Sequence, residues 1–163
     1  MRGPLWLKRI WGLRKGRRFT SVLLRRLGIS PLWRIRVGPI TLRFHPAALA
    51  IRLWEDPGRY DFDLGFFCTY LRQGDICIDA GANVGLLTLT ASALVGEEGC
   101  VIAVEAHPRT CRYLRENLEL NHCRNVRAYN LALAAAAGTL SFSEEAEDDI
   151  RLRFPAAPFA AQP

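Results

Sequence analysis

The first 54 residues contain no aspartate or glutamate, yet they hold thirteen lysines and arginines. From Glu55 onward the balance reverses, with nine arginines against sixteen acids. The two stretches therefore carry +13 and −7, a split that the net charge of +6 conceals. Such asymmetry describes a basic arm joined to a domain of ordinary acidity. Long apolar runs are also missing. No stretch reaches about 18 residues, so no segment reads as a transmembrane helix. Up to Arg26, lysine and arginine interrupt every apolar run, and a secretory leader needs about 7–15 uninterrupted apolar residues. The same segment is rich in arginine but poor in serine, which argues against an organelle presequence.

Metal-ligand and disulfide patterns are lacking too. The five cysteines are Cys68, Cys77, Cys100, Cys111 and Cys123. Their number is odd and no pair has CxxC spacing, which reads as reduced core cysteines in a cytosolic protein. His45, His107 and His122 show neither HxxxH nor HxH spacing, so surface or capping roles are expected and no metal is. No Ser/His/Asp arrangement can be argued from spacing, and no internal repeat is present.

What the chain does contain is an ordinary globular composition, half of it hydrophobic. Its 163 residues suffice for one core but fall short of the roughly 200–250 of a large α/β domain. Within the basic stretch, Gly12 and Gly16 are expected to weaken any long helix. Arg34–Val37 and Ile40–Phe44 alternate around Gly38-Pro39 and read as a hairpin. Phe62, Phe66, Phe67, Tyr70 and Leu71 have helical spacing. After Gly74 strands and helices alternate. Ile76-Cys77-Ile78 reads as a parallel strand buried on both faces. Val84–Val95 reads as a helix, Cys100–Val104 as a second buried strand and Pro108–Asn121 as a second helix with Cys111, Leu114 and Leu118 as its apolar stripe. Val126–Tyr129 reads as a third strand and Thr139–Phe142 as a short fourth. This order predicts an α/β Rossmann-like domain built on a parallel sheet. The expected divisions are 1–54 (arm and hairpin), 55–143 (ligand-binding domain) and 144–163 (an acidic, then Pro/Ala-rich tail).

In such a sheet, ligands bind beyond the carboxyl ends of the strands. There the first strand runs into Asp79-Ala80-Gly81-Ala82-Asn83-Val84-Gly85. Gly81 permits a tight turn and close approach of a ligand to backbone. Gly85 lets the following helix pack, and Asn83 tolerates unusual backbone angles. The dinucleotide fingerprint GxGxxG finds only one of its three glycines here. A GxGxG spacing finds Gly81 and Gly85, with Asn83 between. Asp79 would repel a pyrophosphate but could accept from an ammonium group, so it favours an amino-acid moiety over phosphates. Glu105 closes the second strand, where a carboxylate can take both hydroxyls of a ribose.

The run Gly74–Gly85 resembles the first motif of the FkbM family of S-adenosylmethionine-dependent methyltransferases. Val101–Pro108, Leu114–Asn121 and Asn130-Leu131-Ala132-Leu133 resemble its second strand, second helix and third-strand exit, so the likeness covers roughly 55–143. The resemblance implies a class I methyltransferase fold with S-adenosylmethionine as cofactor. By it, Asp79, Gly81, Asn83, Val84 and Gly85 form the methionine cradle. Glu105 holds the ribose, and Asn130 borders the adenine. It also implies O-methylation of a small molecule or glycan. No catalytic base is named, since methyl transfer needs chiefly in-line positioning.

One departure limits the likeness. The family's fourth core strand carries an Asp-x-Glu-Gly-like element, and Asp148-Asp149-Ile150-Arg151-Leu152 lacks the glycine turn. The expectation is a sheet incomplete in its C-terminal half, with an exposed apolar edge that a partner chain would complete. The second functional expectation is therefore a catalytically incomplete fragment acting as a basic membrane-surface or interaction module. For residues 1–28 the leading expectation is a solvated charged segment whose Trp and Leu side chains pack on the domain; contact with an anionic membrane surface comes second and nucleic acid third. The expected location is cytoplasmic, with attachment to the membrane periphery as the alternative.

Overall fold

The computed structural model describes residues 14–135 and Gly138. In chain order its elements are α1 (Arg14–Arg26), β1 (Arg34–Val37), β2 (Ile40–Arg43), α2 (Ala48–Glu55), α3 (Asp61–Tyr70), β3 (Ile76–Ala80), α4 (Leu86–Val95), β4 (Cys100–Val104), α5 (Pro108–Leu120) and β5 (Val126–Tyr129). Short 3-10 turns follow α1 and α2. The expected strand Thr139–Phe142, the 144–163 tail and the first 13 residues lie outside the described residues. No described helix is long and apolar enough to cross a membrane.

β3, β4 and β5 form a parallel sheet in that order. Asp79 pairs with Ala103 and Ala80 with Val104. Val104 in turn pairs with Tyr129. The three strand ends therefore lie level, and the loops leaving them share one edge. Each βα connection carries a helix back across the sheet, as the strand–helix alternation predicted. β1 and β2 pair antiparallel around Gly38-Pro39, which confirms the hairpin.

The hairpin is not a loose appendage. Leu42, Phe44 and Ile35 share one buried cluster with Val84, Leu86, Leu89, Ala103 and Leu114. Backbone groups along β2 would be orphaned at a bare edge. Two asparagines one turn apart, Asn117 on α5 and Asn121 at its C-terminal cap, take that role. Asn117 Oδ1 accepts from Arg43 N at 2.8 Å, and Asn121 Oδ1 accepts from Thr41 N at 2.9 Å. Asn121 Nδ2 also donates to Thr41 O at 2.6 Å.

Two expectations need correction, while the helix expected over Phe62–Leu71 forms as α3. A helix forms through Gly16 because α1 is held by its neighbour rather than by propensity. Arg17 donates to Trp54 O, and Trp54 Nε1 donates back to Arg17 O, both at 3.0 Å. On α3, Phe62, Phe66 and Tyr70 are exposed, while Leu64 and Phe67 pack inward. That helix is apolar on both faces, so spacing alone did not select the buried one. Finally, β3 is not buried on both faces. Cys77 and Asp79 turn toward the helices, but Ile76 and Ile78 are 73% and 67% exposed. Among the described residues nothing covers that side, and β3 is an edge strand.

All five cysteines are free, with Cys111 buried and Cys68 exposed. Burial pushes the Cys77 and Cys111 thiols up, which keeps them protonated near neutral pH. No cluster of three or more metal-ligating side chains occurs among the described residues.

Candidate cofactor-binding site

The turn after β3 folds over the end of β4. Gly81 N and Ala82 N both donate to Val104 O, at 2.8 and 3.0 Å. Gly81 sits at φ +85° and Asn83 at φ +51°, the left-handed backbone that the Gly/Asn pattern anticipated. A Cβ on Gly81 would meet nothing within 4 Å, so this turn presents bare backbone to open space. Gly85 differs. At φ +95°, a Cβ there would lie 2.7 Å from Leu114 Cδ1. Gly85 therefore seats α5 against the turn, while Gly81 leaves room for a ligand.

The two acids are brought to this edge and are both buried. Asp79 accepts from the hydroxyl and the backbone N–H of Thr88, the third residue of α4. Since Gly85 offers that helix no side-chain cap, Asp79 supplies one from the strand. Burial pushes the Asp79 carboxyl up, and the Thr88 bonds pull it partly back. Glu105 Oε2 accepts from Asn83 N, and Oε1 accepts from His107 N, each at 2.8 Å. Each of its oxygens keeps a second lone pair for a ligand hydroxyl. Asn130 Nδ2 donates to Glu105 O and Ala106 O at 2.9 Å, tying the loop after β5 to the same place.

Of the expected site residues, Asp79, Gly81, Asn83, Glu105 and Asn130 thus surround one strand-end edge. Val84 lies inside the core, its N bonded to Asn83 Oδ1 and its O to Asn117 Nδ2. Sequence reasoning missed Thr88 and Asn117. Both are buried polar groups, and their position on the inner faces of predicted helices was the only available hint. His107 caps α5 by accepting from Arg109 N and Thr110 N, as the capping expectation held.

The donor set suits S-adenosylmethionine. It combines two buried carboxylates, which could accept from an ammonium and a ribose diol, with bare backbone at Gly81 beside open space. The parallel sheet and the strand-end turn are those of a Rossmann-like class I methyltransferase fold. The family model for protein-L-isoaspartate(D-aspartate) O-methyltransferase (PCMT) matches residues 64–158. The chain belongs to that family. A protein-L-isoaspartate O-methyltransferase of Caenorhabditis elegans is 25% identical over 83 residues, which are 51% of this chain and 37% of that protein. The chain thus spans little more than a third of that relative. Among solved structures, a protein-L-isoaspartate O-methyltransferase superposes with a TM-score of 0.46 at 19% identity, covering 74% of this chain and 42% of that one. A SAM-dependent methyltransferase of Aquifex aeolicus gives 0.41 at 26%, covering 53% and 47%. The methyltransferase class read in the sequence is therefore the one matched. The finer FkbM reading bears on the acceptor.

Proposed function

We infer that the chain transfers a methyl group from S-adenosylmethionine to a carboxylate oxygen of an isoaspartyl residue in a peptide. The observation that carries this reading is the family match across residues 64–158, the segment that contains the whole strand-end site. Bound S-adenosylmethionine supplies an activated methyl on a sulfonium. Asp79 would hold the ammonium end of the cofactor and Glu105 the ribose hydroxyls, while Asn130, bonded to Glu105 O and Ala106 O, would border the adenine. A carboxylate acceptor is ionised at neutral pH, its ordinary pKa being about 4. It therefore needs no base, and positioning does the chemistry. The products are the methyl ester and S-adenosylhomocysteine.

The FkbM-like runs Val101–Pro108, Leu114–Asn121 and Asn130–Leu133 favour a second reading, with a hydroxyl of a small molecule or glycan as acceptor. One experiment separates the two. Purified chain is supplied with methyl-labelled S-adenosylmethionine and, in parallel, an isoaspartyl peptide, its aspartyl isomer and an oligosaccharide. Base-labile label on the isoaspartyl peptide alone is expected. Base-stable label on the oligosaccharide would replace this reading with the second.

A further inference from the structure

The helix α1 has two apolar faces, and the domain uses only one. Ser21 and Leu24 are buried, and Arg17 is bonded to Trp54, so residues 17, 21 and 24 form the row that packs on α2. On the opposite side, Phe19 and Leu23 lie one turn apart and are 71% and 45% exposed. Leu27, just past the helix, continues the row at 60%, and Leu32 in the following 3-10 turn is 75% exposed. Helices of soluble domains keep such positions polar. Arg26 falls on the same face as Phe19, seven residues on, and Arg18 flanks it; both are exposed. No acid lies anywhere in the first 54 residues to neutralise them.

We propose that this outward face of α1 docks on an anionic lipid surface. Phe19, Leu23, Leu27 and Leu32 enter the headgroup boundary, and Arg18 and Arg26 meet lipid phosphates and carboxylates. Apolar insertion and charge attraction are the two contributions that hold an interfacial helix. A nucleic acid would use the arginines but would leave four large apolar side chains wet. The charge complementarity therefore favours lipid over nucleic acid once those side chains are counted. The proposal stands apart from the methyl-transfer reading, since none of these residues belongs to the strand-end site.

The test is co-sedimentation of the full chain with vesicles of phosphatidylcholine alone and with about 30% phosphatidylserine added. Binding to the anionic vesicles is expected, weakened by high salt and at least about tenfold weaker on neutral vesicles. Phe19→Ser/Leu23→Ser/Leu27→Ser and, separately, Arg18→Gln/Arg26→Gln should each reduce it by about tenfold or more. Thermal melting confirms that each variant remains folded, and the exposed positions make that the expected result. Anionic-vesicle binding that survives both variants would overturn the proposal. So would an absence of vesicle binding together with tight binding of a labelled DNA or RNA duplex that the serine variant leaves unchanged.

Discussion

Glu105 Oε2 accepts a hydrogen bond from the backbone N–H of Asn83 at 2.8 Å. The acid that ends β4 therefore holds the turn that ends β3. Its second oxygen holds His107 N, so one side chain sets the spacing of two loops. A residue expected only to meet a ribose also fixes the two loops on either side of it.

Glu105→Ala should consequently damage both structure and binding. It removes two charge-assisted acceptors from backbone donors, a loss of about 2–4 kcal/mol of stability. Glu105→Gln keeps one acceptor oxygen and should melt closer to wild type, yet bind S-adenosylmethionine more weakly. Denaturant unfolding with a parallel calorimetric titration reads both quantities. Equal stability of all three proteins would show that the loops do not depend on this carboxylate.

Thr88 donates to Asp79 and holds its carboxyl down against the opposing effect of burial. Thr88→Val should let that carboxyl rise further. With Asp79 in its proposed role at the cofactor's ammonium end, affinity should then begin to fall at a higher pH than in the wild type. A titration series from neutral to mildly acid pH measures the shift. A displacement toward lower pH would contradict the assigned bond.

The two turn glycines should respond differently to alanine. At Gly85, the new Cβ meets Leu114 in a backbone region that alanine disfavours, a cost of about 2–4 kcal/mol. Leu114→Ala in the same chain should recover part of the steric share. At Gly81, only the backbone cost of about 1–2 kcal/mol applies, because the space is open. Gly81→Ala should therefore remain folded and lose cofactor affinity. A Gly81 variant that binds normally would mean the cofactor does not approach that backbone.

His45 supplies a pH dependence away from the site. It is buried, stacked on Tyr113 at 4.1 Å, and 3.3 Å from Glu116 Oε2 without hydrogen-bond alignment. Burial first, then the charges of Arg43, Arg112 and Arg34, lowers its pKa from 6.5 to about 4. The unfolded chain thus binds this proton more readily than the folded one. The stability it contributes is whole above pH 6.5 and is lost as the pH falls toward about 4. That loss amounts to at most about 3 kcal/mol. His45→Phe should flatten that part of the stability profile, as chemical unfolding at several pH values would show.

How much of this was legible follows from the range of the interactions. The Asp79–Gly85 turn and Glu105 were readable because strand, turn and acid are contiguous or fall at strand ends. The hairpin was readable for the same reason. Thr88 and Asn117 were not, because their partners lie 9 and 33 residues away and depend on how helices rotate over the sheet. The exposure of Ile76 and Ile78 was not readable either. An apolar strand reads as buried, and whether anything covers it is decided by neighbours rather than by its own residues. On α3, two apolar faces left the choice to packing.

The most direct test of the central claim is calorimetric titration of the purified chain with S-adenosylmethionine. The account predicts saturable binding at one site, with Asp79→Ala and Gly81→Val each abolishing it while the protein remains folded. No heat and no thermal shift at millimolar ligand would contradict it, as would undiminished affinity in either variant.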